Sequence, residues 1–233
     1  MTNTREYLIY NICNEIIKNK NAETPLIVGL TGIDTSGKSK MAEELKKLFI
    51  QKNVEVQLVH VDDFHYPKSK RYNDSLSEPD QYYELSINFE AIRNNLLEPI
   101  KSSTQLEVTL PHLDLLTDSM SITKNYNITK DTIVLIEGVF LYREEVRPYI
   151  DFYIFLDIEE EVVIQRAEIR DVPVQGVEVL EKYHTKYLPA QRRYINKFQP
   201  NIVSNIVINN SDFENPQIKK WPHSSNSEVS QHE

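Results

Sequence analysis

Glycine is scarce in this chain, with five in 233 residues, so glycine-rich linkers and low-complexity repeats are excluded. One cysteine, Cys13, excludes an internal disulfide. No apolar run approaches the roughly 20 residues of a membrane-spanning helix, and the polar opening Met1-Thr-Asn-Thr-Arg5 lacks the layout of a secretory signal. A cytoplasmic protein without a membrane partner is expected. The formal net charge of -9 argues against a general grip on nucleic acid, while leaving room for a local basic pocket. Six histidines show no metal-ligand spacing, and no Cys-His pair suggests nucleophilic catalysis. What is present, 40% hydrophobic and 26% charged residues, suffices for one core. One domain over residues 1–210 is expected, carrying an extra N-terminal helix within residues 1–20 and followed by a polar, frayed tail at 211–233.

Ile9, Ile12, Cys13, Ile16 and Ile17 fall at helical spacing and predict a helix over 4–18, with Cys13 on its core stripe. Apolar runs at 26–30, 54–61, 132–136, 152–156 and 206–208 predict buried strands. Met41, Leu45, Leu48 and Phe49 predict a helix after the first of them. Further helices are expected from Ile87 to a stop at Pro99, over 159–170, and over 177–198 with an interruption at Pro189. Short strands at 106–110 and 125–128 predict a small hairpin insertion. The alternation is that of an α/β, three-layer fold with a mainly parallel sheet flanked by helices.

Three of the five glycines lie within nine positions, in Val28-Gly-Leu-Thr-Gly32-Ile-Asp34-Thr35-Ser36-Gly37-Lys38-Ser39. This contains the phosphate-cradling pattern G-x-x-x-x-G-K-S between a strand and a helix, the context the motif requires. Backbone N–H groups from Gly32 to Lys38 would face the phosphates, with Asp34, Thr35, Ser36 and Lys40 completing the cradle. Lys38 would reach the β and γ phosphates, and Ser39 would ligate Mg2+. The nucleotide is ATP or GTP. Neither an N-K-x-D guanine motif nor an L-S-G-G-Q signature occurs, which points to a small-molecule kinase. Such an enzyme needs a carboxylate by the acceptor hydroxyl, and strand ends offer Asp62, Asp63 and Glu137. Either Asp62 or Asp63 would accept the hydroxyl proton, and Glu137 would hold the metal or its waters. The aperiodic, aromatic segment 62–85 reads as a substrate lip containing His65 and Tyr83.

Together these pieces resemble the uridine-cytidine kinases, within the group that includes phosphoribulokinase and type I pantothenate kinase. The resemblance runs from Pro25 to Asn210 and rests on Gly32 to Ser39, Val61-Asp-Asp-Phe-His65, Glu78-Pro-Asp-Gln-Tyr82, Leu110-Pro111, Ile136-Glu-Gly138 and Arg166 through Asp171. It implies a P-loop kinase fold with a helical lid. It also implies Asp62 as general base on a nucleoside 5'-hydroxyl, Asp80 on the ribose hydroxyls, and Arg166 and Arg170 closing over the nucleotide. Where the family reads its pyrimidine after the Leu-Pro strand, this chain has Leu113 and Asp118, leaving His112 as the candidate base contact. The lid has Val172-Pro-Val-Gln-Gly176 in place of further arginines, with Arg192 and Arg193 available as substitutes. The alternatives are a kinase for another ribosyl, sugar or vitamin alcohol, and a nucleotide-binding switch without transfer activity. The partner is a nucleoside or related small molecule, and a homo-oligomer is compatible with the sequence.

Overall fold

The apolar runs assemble into one sheet in the computed structural model, which describes residues 4–222. In chain order the strands are β1 (Leu26–Gly32), β2 (Val56–His60), β3 (Leu106–Asp114), β4 (Ser119–Ile128), β5 (Ile133–Gly138), β6 (Phe152–Asp157), β7 (Ile206–Asn209) and β8 (Gln217–Lys220). Six of them form a sheet in the order β2-β5-β1-β6-β7-β8, and β3 pairs with β4 as a separate antiparallel hairpin. All neighbours in the main sheet are parallel except β7 and β8. Its central strands are buried on both faces, as near-continuous apolar runs require. In β1, for example, Ile27 enters one core while Leu26, Val28 and Leu30 enter the other.

One face is covered by α1 (Thr4–Asn19) and α2 (Lys38–Gln51), which contribute Ile12, Cys13, Ile16, Met41, Leu45 and Phe49. The opposite face receives the helical run 89–103, Tyr126 and Ile128 of the hairpin, and Ala190, Tyr194 and Phe198 of the helix Leu188–Phe198. A third, smaller cluster links Ile33 of the glycine loop to Val163, Ala167, Val179 and Tyr183 of the lid segment.

A stop expected at Pro99 and an interruption expected at Pro189 are both overridden. The helix at 89–103 runs through Pro99, and the helix Leu188–Phe198 contains Pro189. Each proline follows a wide π-turn, Arg93–Leu97 in the first case and Tyr183–Tyr187 in the second. A π-turn shifts the hydrogen-bond pattern by one residue, so the bond that proline cannot donate is absorbed there without a break. The tail also differs from expectation, because Gln217–Lys220 forms the edge strand β8 against β7. Residues 223–233 of that expected tail lie outside the described residues. Among the described residues no helix is long and apolar enough to cross a membrane.

Candidate active site

The glycine loop connects the carboxyl end of β1 to α2. Gly37 takes φ of +91°, a left-handed conformation that costs glycine little, and a Cβ there would lie 2.8 Å from Asn210 Nδ2. Asn210 occupies that space, donating from Nδ2 to the Ser36 carbonyl at 2.7 Å. Arg166 braces the loop through Nη1 to the Thr35 carbonyl (3.0 Å) and Nη2 to the Asn210 carbonyl (2.7 Å). Ser36 Oγ is buried with no hydrogen-bond partner among the described residues. The Lys38 ammonium, also buried, donates to the Ile33 carbonyl at 2.8 Å. A glycine loop at the start of a helix, with a lysine turned onto its own loop, fits a polyphosphate. Residues Thr35, Gly37, Lys38, Arg166, Ile169 and Phe213 border an adjoining groove of about 370 Å³.

Asp62 and Glu137 stand at the carboxyl ends of neighbouring strands, where a parallel sheet presents its ligand crevice. His60 and Glu137 are partners in the β2/β5 register, and their side chains meet at 2.6 Å between Nδ1 and Oε1. This hydrogen bond raises the His60 imidazole above its ordinary value despite its partial burial. Glu137 itself is only 4% exposed. Immediately after it, a Cβ at Gly138 would run into the Val61 side chain, so glycine is what lets the turn Val61–Phe64 pack on β5 and hold Asp62 beside the loop. Gly138→Ala is therefore expected to cost about 1–3 kcal/mol through overpacking and to lower kcat more than nucleotide affinity. Melting temperature and ADP release check this, and a full kcat in a destabilised variant would show that the turn's position does not matter.

The two aspartates of that turn are in different environments. Asp63 accepts from Lys124 Nζ at 2.6 Å, and its carbonyl meets His112 Nδ1 at 3.0 Å, so it anchors the hairpin. The Asp62 carboxylate has no hydrogen-bond partner among the described residues, while its carbonyl meets His65 Nδ1 at 2.6 Å. Asp62 is open to solvent on one side and walled in on the others. That enclosure raises its carboxyl above the usual range, Glu137 and Asp34 push the same way, and His65 and Lys38 oppose them.

Several expected positions are corrected. His112 is 1% exposed with both ring nitrogens engaged, the second at 3.0 Å from the Tyr126 hydroxyl, so it belongs to the hairpin core and not to a substrate contact. Tyr83 points away from the loop, packed on Phe140 with Arg143 and Arg193 over its ring. Its neighbour Tyr82, about 100° around the helix α4 (Glu78–Leu85, preceded by the single turn α3, Lys68–Arg71), faces the site instead. Tyr82 donates to Asp34 Oδ2 at 2.9 Å, and Gln191 Nε2 reaches the same oxygen at 2.6 Å. Burial, with Asp34 beside it, keeps the Tyr82 phenol protonated well above its ordinary value. Asp80 lies across α4 from Tyr82, accepting from Ser77 Oγ at 2.5 Å and paired with Arg193. Helical spacing puts positions two apart on opposite sides, so Asp80 stands at the start of α4 in an exposed ion pair with Arg193. Arg192 pairs with Glu160 and Arg193 with Asp80, both at the surface. Arg170 borders the groove, held by both oxygens of Asp171 and by the Tyr183 hydroxyl at 3.1 Å. Asp118, at φ of +54°, accepts from the Lys68 amide at 2.9 Å, and Leu113 is buried.

Among the described residues no group of three or more His, Cys, Asp or Glu could hold a metal unaided. The donors present, the exposed Ser39 hydroxyl and the unbonded Glu137 oxygen, fit a magnesium ion that keeps waters and takes phosphate oxygens.

The family model described as "Phosphoribulokinase / Uridine kinase family" matches residues 27–209. The chain is 24% identical over 205 residues to "Uridine kinase" of Chlamydia pneumoniae, covering 78% of this chain and 86% of that one. It is 24% identical over 179 residues to "Uridine-cytidine kinase B" of Dictyostelium discoideum, covering 75% and 71%. Among solved structures, "Structure of a Possible Uridine Kinase from Bacillus stearothermophilus" superposes with a TM-score of 0.69 at 27% identity, over 85% of this chain and 96% of that one.

Proposed function

The chain belongs to the phosphoribulokinase/uridine kinase family, and from that premise we propose that it transfers the γ-phosphoryl group of ATP to the 5'-hydroxyl of uridine or cytidine. The observation that carries the chemistry is the Asp62 carboxylate, without a hydrogen-bond partner among the described residues and raised above its usual range, set near Lys38 and Glu137. A base with a raised pKa takes the hydroxyl proton more readily than an ordinary carboxylate does. Asp62 accepts the proton, the acceptor oxygen forms the new bond to phosphorus in line, and the bond to the β-phosphate oxygen breaks to release ADP. Lys38, the loop amides and Arg170 hold the charge on the transferring group, while Arg166 keeps the loop in shape. Ser39 and Glu137 would hold magnesium, which supplies charge neutralisation on the phosphate oxygens. Residues 1–210 act as one unit in this reading, in the cytoplasm, on a small-molecule partner.

A second reading keeps the chemistry and changes the acceptor to another ribosyl, sugar or vitamin alcohol. The placement of His112, Leu113 and Asp118 favours it, since none offers a free polar group to a pyrimidine ring. ADP release with ATP, magnesium and a panel of uridine, cytidine, pantothenate and sugars separates the two. Release with a nucleoside supports the first reading, and release only with another alcohol supports the second. No acceptor-dependent ADP would overturn both.

A further inference from the structure

The helix α1 lies outside residues 27–209, yet it is tied to the phosphate loop through a charged residue. Arg5 is 4% exposed. Its Nη1 donates to Asn210 Oδ1 at 3.2 Å and to the Phe213 carbonyl at 3.1 Å, its Nη2 donates to Glu44 Oε2 at 2.8 Å, and its guanidinium lies 3.8 Å from the centre of the Phe213 ring. Asn210, fully buried, passes the connection on from Nδ2 to the Ser36 carbonyl.

A trans peptide points its C=O and its N–H in opposite directions. Holding the Ser36 carbonyl toward Asn210 therefore fixes the Gly37 N–H on the other side of that peptide. The same Asn210 presents its carbonyl to Arg166, which secures Thr35, and Phe213 walls the groove next to Gly37 and Lys38. A buried guanidinium is an expensive way to pack a helix, and an apolar side chain of similar size would do as well or better for stability alone. Beside the ion pair with Glu44, its Nη1 reaches the two residues, Asn210 and Phe213, that shape the nucleotide side of the site.

We infer that Arg5 is a positioning residue for nucleotide binding, fixing the Ser36–Gly37 peptide through Asn210, so that α1 is a working part of the site. The inference rests on the kinase reading only in taking the glycine loop as a phosphate cradle.

The test is calorimetric binding of magnesium-ATP to the full chain, with steady-state kinetics alongside. Arg5→Ala and Asn210→Ala are each expected to weaken ATP binding by about 10- to 100-fold, the scale of a lost charge-assisted or buried hydrogen bond. KM for ATP should rise in parallel, with the acceptor KM nearly unchanged. The double variant should lose less than the sum of the two single losses, because Arg5 acts in part through Asn210. Arg5→Lys keeps the charge beside Glu44 but withdraws the Nη1 arm, so a similar ATP defect at a wild-type melting temperature is expected. Wild-type ATP affinity in Arg5→Lys, additive losses in the double variant, or equal damage to ATP and acceptor binding would each overturn the inference. A wild-type chain that binds ATP but phosphorylates no acceptor would overturn the kinase reading and leave this one standing.

Discussion

Asp62→Asn is expected to lower kcat by roughly 10²- to 10⁴-fold, the range for removing a general base, while ATP affinity stays within about twofold. Asparagine keeps the shape and removes only the proton acceptor. The Asp62 carboxylate has no hydrogen-bond partner among the described residues, so its replacement breaks no ion pair, and the melting temperature should hardly move. The pH profile adds an independent check. Asp62 must be ionised to act, and its carboxyl is raised by enclosure and by Glu137. The rate should therefore fall as pH drops through that raised value, at higher pH than for an ordinary aspartate, and this acid limb should vanish in the asparagine variant. Asp63→Asn is the contrast, because it releases Lys124 and loosens the hairpin and should reduce stability more than chemistry. Equal loss of turnover and ATP binding in Asp62→Asn would mean that Asp62 is structural.

Lys38→Met is the second large effect, expected to lower kcat/KM for ATP by roughly 10²- to 10³-fold, the scale for removing one preorganised charge from a transferring phosphoryl group. Methionine preserves the stem that packs under the loop and removes the ammonium. That ammonium is bonded at 2.8 Å to the Ile33 carbonyl, a contact that a phosphate can replace but a methyl group cannot. Single-turnover ADP formation and ATP binding separate its two contributions. Loss of binding alone would make Lys38 an anchor, whereas loss in the bound complex places it on the transferring group. Near wild-type rates would remove the phosphate-cradle reading altogether.

The strand-loop-helix context of Gly32 to Ser39 was legible because it is local: a buried run, a glycine turn and a helix follow one another within a short stretch. The strand-end carboxylates Asp62 and Glu137 were legible for a related reason, since parallel sheets put ligands beyond their carboxyl ends. The lip was read less well. In an aperiodic segment no spacing tells one face of a short helix from the other, so Tyr83 was expected where Tyr82 stands. His112, expected as a base contact, is buried between Asp63 and Tyr126, partners supplied by the neighbouring turn and the paired strand. His60, Gln191 and Asn210 carry no motif. Asn210 follows β7, and the strand-end rule alone could have flagged it.

By itself the sequence determined the order of strands and helices, the phosphate loop and the acidic strand ends, because each depends on residues close together in the chain. Tertiary structure alone decided which of two adjacent aspartates keeps a free carboxylate, which tyrosine faces Asp34, and that Arg5 reaches Asn210 across 205 positions. The physical reason is that hydrogen-bond partners and desolvation come from whatever packs alongside, and packing joins residues that share no period, motif or neighbourhood in the chain.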